Sequence, residues 1–156
     1  MALNFTIILI LAATVVTGLL AGVSLDKALV QLPARHRMGV VEFSAFSRAN
    51  DLGNGLVLYP LLGISAALLT IGAALAAFLQ EASLAHAWLL YVSALLALLH
   101  SGATARAAPN MLSLRQATNN KAVLTQILNR FAKWHNVRAI LQLLNFLTLI
   151  AYIAVQ

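Results

Sequence analysis

Four apolar stretches fill most of this chain, and the charged, amide and imidazole side chains that interrupt them gather at one end of each. Residues 5–23 run for 19 positions without a charge, 56–79 for 24, 82–105 for 24 with two histidines, and 139–155 for 17. Each approaches the roughly 20 residues a helix needs to cross the hydrocarbon of a bilayer. Helices are the fitting element, because a spanning segment must satisfy its own backbone and no barrel-type alternation is present. With 62% hydrophobic and 9% charged residues, a soluble domain of 156 residues would lack the polar surface to cover itself. The sequence predicts an all-α integral membrane protein, an up-down four-helix bundle. It forms a single domain over 1–156, with helices at about 4–32, 51–79, 83–106 and 122–155 and a short interfacial helix between the first two.

The first apolar run lacks a basic segment before it and a small-residue cleavage site after it, so it reads as a retained helix rather than a leader. The absence of cysteine excludes disulfides, thiolate metal sites and cysteine nucleophiles. Ten Lys and Arg oppose four Asp and Glu. This basic excess reads as topology rather than as a nucleic-acid footprint. Arg35, Arg37 and Arg48 lie in the connection 33–50, and Arg106, Arg115, Lys121, Arg130 and Lys133 lie in 106–133. The positive-inside rule then makes both connections cytoplasmic and both termini external, in a plasma or bacterial inner membrane.

Local chemistry sets the expected boundaries. Pro33 is expected to end the first helix and to bias Leu32 away from helical angles. Residues 38–47 read as a short amphipathic piece at the interface. Pro60 falls within the second span and should kink it, freeing a carbonyl. Residues 80–83 form a tight outer turn, and 107–121 a long polar connection.

Alternating helix direction would bring Asp26, Lys27, Arg48, Asp51, Asn54, His100, Arg106, His135 and Arg138 to one mouth of the bundle. Gly18, Gly22 and Asp26 are spaced by four, which predicts a small-residue groove leading to a carboxylate that faces protein. Asp26 lies about 10 Å along the axis from Pro33, so a cationic partner is expected for it from Arg48, Arg106 or Arg138. In the fourth span His135, Arg138, Gln142 and Asn145 fall on one stripe, continued by Tyr152; Ser93, His100 and Thr104 make a shorter stripe in the third. Lipid cannot satisfy such groups, so the stripes face each other or a cavity. Trp88, Tyr91 and His86 suit the outer interface.

The layout resembles the anthrone oxygenase-like family of small four-helix membrane proteins, also described as the domain of unknown function 1772. The resemblance rests on a glycine-bearing first helix before Leu32-Pro33-Ala34, on Phe43, Phe46 and Arg48 ahead of the second span, on an exit from the third span between Thr104 and Pro109-Asn110, and on Trp134-His135-Asn136-Val137-Arg138 opening the fourth. It implies oxygenation of an activated carbon in a hydrophobic, phenolic small molecule without metal or other cofactor. Such chemistry needs a base for a weakly acidic C–H proton and a cation beside the resulting anion. His100 or His135 would be the base and Arg138 the catalytic cation. Asp26, Arg48, Asp51, Asn54, Arg106, Trp134, Gln142 and Asn145 would bind or orient substrate.

Two other roles fit the same residues. One is non-enzymatic lipid binding, transport or service as an accessory subunit in a homo-oligomer or larger membrane complex. The other is a redox protein in which His100 and His135 ligate haem. In every case the expected partners are the lipid bilayer and a hydrophobic small molecule, not nucleic acid.

Overall fold

The computed structural model describes residues 5–80 and 82–155. Asn4, the expected start of the first span, Glu81 of the outer turn and Gln156 lie outside the described residues. Four helical runs, Phe5–Met38, Val40–Leu79, Leu84–Ser113 and Lys121–Ala154, are each long and apolar enough to cross a membrane, and the described residues contain no strand. The protein is an integral membrane four-helix bundle. In chain order it comprises α1 (Phe5–Asp26), a wide π-helical turn (Lys27–Gln31), α2 (Leu32–Met38), α3 (Val40–Ala49), a second π-helical turn (Asn50–Asn54), α4 (Gly55–Leu79), α5 (Leu84–Ser113) and α6 (Lys121–Ala154).

Helix α1 packs on α4 and α6, and α5 packs on the same two, so the four long helices form a closed square in sequence order. Their directions alternate. One apolar cluster joins the start of α1 (Ile10, Ala13) to the end of α4 (Ala73, Ala74, Ala77), the start of α5 (Ala87, Leu90) and the end of α6 (Leu149). Its alanines let the backbones approach closely, which is how helices gain contact in lipid, where burial of apolar surface gives little drive. Gln80 Nε2 donates to Thr6 Oγ1 at 2.7 Å and fastens the outer turn to α1.

The second cluster closes the opposite end. Leu32 of α2 and Phe43 of α3 meet Ala107 and Met111 of α5, Leu114, and Leu124, Leu128 and Phe131 of α6. Leu19, Leu61, Leu75, Leu98 and Ile140 are exposed and form part of the lipid-facing coat. Between the two clusters lies a layer of buried polar side chains from all four long helices and the π-helical turns.

The boundaries around the prolines differ from the expectation. Pro33 does not end the first helix: Leu32 keeps helical angles (φ −62°, ψ −40°), and Pro33 falls in the first turn of α2. The preceding wide turn accommodates it, because Leu32 N–H bonds back to the Lys27 carbonyl and a proline in a first turn forfeits no required donor. The chain reverses instead at Gly39 (φ 90°, ψ 154°), a left-handed position open to glycine. A Cβ there would also lie 2.7 Å from Glu42 Oε2. Likewise α5 continues through Pro109 to Ser113 and shortens the polar connection to 114–120. Pro109 lies on an exposed face, where its ring displaces only the bond to one carbonyl.

Gly55 starts α4 under tight packing: a Cβ there would sit 2.8 Å from the Asn50 carbonyl oxygen and 2.7 Å from the Tyr59 ring. Gly55→Ala is therefore expected to lower stability by about 1–3 kcal/mol, measured as unfolding in mixed micelles. Gly72→Ala, where a Cβ meets nothing within 4 Å, should leave the transition in place or raise it. An unshifted transition for Gly55→Ala contradicts this packing.

Candidate functional site

The polar layer is organised around an ion pair. Lys27 and Asp51 are 4% and 5% exposed, and Lys27 Nζ donates to Asp51 Oδ2. Each belongs to one of the two π-helical turns, so the widened backbone positions both partners. Such turns occur often at functional sites. Lys27 Nζ also lies 6.0 Å from the centre of the Phe131 ring. A charge buried in this setting needs a partner, and the partner arrives from the other side of α2 and α3.

The histidines are oriented by backbone carbonyls, and this fixes their protons. His135 Nε2 lies 3.1 Å from the Ser24 carbonyl oxygen, and His100 Nδ1 lies 3.1 Å from that of Arg138. A carbonyl only accepts, so these two nitrogens carry hydrogen. In neutral His100 the remaining Nε2 accepts from Thr104 Oγ1 at 3.4 Å. In neutral His135 the remaining Nδ1 has a lone pair, and it is buried without a protein partner. His135 is 1% exposed. Arg138 Nε is likewise buried and unpartnered.

These groups line a cavity of about 490 Å³, within the range of sites for one drug-sized molecule. Its inner wall is Leu20, Ser24 and Lys27 of the first run and Phe131, His135 and Arg138 of α6. Its flanks are α4 from Gly55 to Leu68 and α5 from His100 to Leu112, with Asp51 and Leu52 at the inner end. Along α4 this amounts to about 20 Å. Leu56, Ile64 and Leu68 of α4 and Leu112 of α5 line the cavity and are also exposed on the outer surface. The cavity therefore opens sideways between α4 and α5, toward acyl chains. Pro60 lies in this wall and lacks the N–H that would bond the Leu56 carbonyl; a Cβ at Gly63 would meet nothing within 4 Å.

Of the residues brought to the mouth by the sequence reading, Lys27, Asp51, His100, His135 and Arg138 converge here. Gln142 and Asn145 are buried behind the cavity as interhelical ties: Gln142 Nε2 donates to the Thr17 carbonyl at 3.1 Å, and Ser93 Oγ donates to Asn145 Oδ1. Arg48 turns away to the connection that follows α5, its Nε and Nη2 donating at 2.8 Å to the carbonyls of Leu114 and Ala117. Leu114 caps the C-terminus of α5, where carbonyls lack intrahelical donors, and Ala117 lies in the connection beyond it. Arg106 is exposed and lies 5.0 Å over the Trp134 ring, and Asn54 is exposed; none of these three lines the cavity.

Asp26 departs from the expectation. It is exposed and accepts from Gln31 Nε2 at 2.6 Å instead of facing a buried cation. Of the glycine stripe only Gly18 makes a close approach, with a Cβ position 2.7 Å from the Phe146 ring; Gly22 faces open space. The inward stripe of α1 is Thr17, Leu20 and Ser24, and it leads to Lys27. The spacing of three, four and three was present in the sequence and would have selected Lys27 over Asp26 as the inward-facing charge. Among the described residues no cluster of three or more His, Cys, Asp or Glu is placed to hold a metal.

Comparison with protein-family models, with curated proteins and with solved structures returned no match.

Because removal of one partner strands a buried charge, Lys27→Met or Asp51→Leu alone should each destabilise the fold by about 3–5 kcal/mol, with the double variant recovering most of the loss. A double-mutant cycle by unfolding in micelles measures this. Simple additivity of the two losses contradicts a coupled pair.

Proposed function

We propose that this membrane protein takes a hydrophobic small molecule into the cavity between α4 and α5 and oxygenates it, as the resemblance to the anthrone oxygenase-like family implies. The observation that carries this reading is a largely apolar cavity lined by both Arg138 and His135, a buried histidine whose Nδ1 has no protein partner. With Nε2–H held by the Ser24 carbonyl, Nδ1 is the ring position with a lone pair for a proton. His135 Nδ1 would remove a proton from an activated methylene carbon, and the Arg138 guanidinium would hold the resulting enolate or phenolate. Transfer of electrons from that anion to dioxygen, with formation of a C–O bond, gives a ketone and water from a methylene and one dioxygen. His100 contributes by orientation, since both of its ring nitrogens are engaged within the protein.

The sideways opening favours one second reading, in which the cavity holds or passes on a lipid-soluble compound without changing it. The haem reading has less support, because ligation by His100 would break one of its two hydrogen bonds. The basic connections at the α2, α3 and Leu114–Asn120 end support a cytoplasmic location for the inner end of the cavity and external termini, in a plasma or bacterial inner membrane.

Dioxygen uptake and ketone formation by the purified protein with an anthrone provide the test. His135→Ala is expected to slow turnover by about 10²–10⁴-fold and Arg138→Gln by about 10²–10³-fold, while Asn54→Ala, exposed and outside the cavity, retains the full rate. Absence of turnover by the unaltered chain overturns the oxygenase reading; retention of binding would then leave the second reading in place. Full turnover by folded His135→Ala overturns the assigned base.

A further inference from the structure

The cavity carries one positive charge more than it neutralises. Three side chains of acidic or basic type other than histidine and tyrosine line it: Lys27, Asp51 and Arg138. Among the described residues Asp51 is the only carboxylate in the lining, and it is bound by Lys27. Asp26 and Glu42 do not line the cavity, and Asp26 is engaged by Gln31. Among the described residues no carboxylate forms an ion pair with Arg138, whose Nε is buried without a hydrogen-bond partner. An arginine at this depth carries a large desolvation penalty unless an anion meets it. The remainder of the lining is mostly aliphatic, and it continues along α4 to Leu68 and out to the lipid-facing surface.

We propose that the natural occupant is an amphiphile with an anionic head, a carboxylate or phosphate, seated on Arg138 and entering from the bilayer between α4 and α5. Its head completes the charge balance of the polar layer. Arg138 offers a planar fork that matches either oxyanion, and His135 stands beside it on the same wall. Its tail lies along the apolar flank from Leu56 to Leu68 and extends through the lateral opening into lipid. The proposal rests on the cavity being a ligand site and adds the charge of the ligand, whether that ligand is an acid-bearing substrate or a lipid held unchanged.

Binding to protein in nanodiscs of zwitterionic lipid tests it, using a long-chain carboxylate, the alcohol and the methyl ester of the same chain length, a single-chain lysophosphatidate and a two-chain phosphatidylglycerol. The carboxylate is expected to bind at least about tenfold more tightly than the alcohol or ester, a difference of about 1.4 kcal/mol. This comparison uses the unaltered chain and needs no variant. Arg138→Gln should abolish the preference for the acid while changing alcohol affinity little, Arg138→Lys should keep part of it, and Arg106→Gln, outside the cavity, should keep all of it. Preference for lysophosphatidate and carboxylate over phosphatidylglycerol supports a free single-chain acid, and the reverse order supports a membrane phospholipid as the source of the head. Equal binding of acid and alcohol overturns the anionic head and leaves the hydrophobic site standing, as does an acid preference that survives in folded Arg138→Gln. Failure of every probe to bind overturns both the ligand charge and the cavity as a ligand site.

Discussion

Hydrocarbon does not solvate charge, and the pairing of Lys27 with Asp51 is how this bundle keeps two ionised groups inside a membrane-spanning fold. The pair joins the end of α1 to the start of α4 across the inserted α2 and α3. It therefore holds the inner ends of two helices in register at the place where no alanine cluster packs them. Once this pair is in place, His135 can rest on the Ser24 carbonyl and Arg138 remains on the wall without a carboxylate of its own. The α4–α5 side stays open because its flanking residues, Leu56, Ile64 and Leu68 among them, serve the cavity and the lipid at once.

The two apolar clusters and the polar layer divide the labour along the axis. At the outer end, Ala73, Ala77, Ala87 and Leu90 bring α4 and α5 together. At the inner end, Phe43 and Leu114 form a plug with α6. Between them Gln142, Asn145 and Ser93 tie α6 to α1 and α5 through buried hydrogen bonds. Those ties leave α4 as the helix least bound to the polar network, and α4 is the helix that carries Pro60 and the open wall. His135 Nδ1 and Arg138 Nε belong to cavity-lining residues and are buried without a protein partner, as are Thr17 Oγ1, Ser47 Oγ and Thr70 Oγ1 away from the cavity.

Much of this was legible in the residues. The spans follow from length and hydropathy, the alternation from the short outer turn, and the convergence of Asp51, His100, His135 and Arg138 from periodicity combined with that alternation. The π-helical turns were not legible, because an added residue in a turn rotates everything after it by about 100° and depends on pairing partners far away in sequence. The choice between Asp26 and Lys27 comes before the first of these turns and follows the stripe Thr17, Leu20, Ser24 and Lys27, while the regular glycine spacing pointed to the wrong neighbour. Pro33 and Pro109 misled for a related reason: a proline stops a helix only where its missing donor is needed, and here one follows a wide turn and the other lies on an exposed face. Arg48 was counted with the mouth because it lies at the right depth, yet the carbonyls of Leu114 and Ala117 in the connection after α5 hold it.

The chain has no cysteine, so single cysteines report on the cavity without background. The most direct measurement is the labelling rate, in a bilayer, of Ala67→Cys on the cavity wall and Ala74→Cys in the closed outer cluster by a lipid-soluble maleimide. A cavity that opens sideways to lipid predicts rapid labelling at 67, slowed by a bound ligand, with protection at 74. Equal protection of both positions would mean that α4 and α5 close along their whole length, and the account of a lipid-accessible polar chamber would fail.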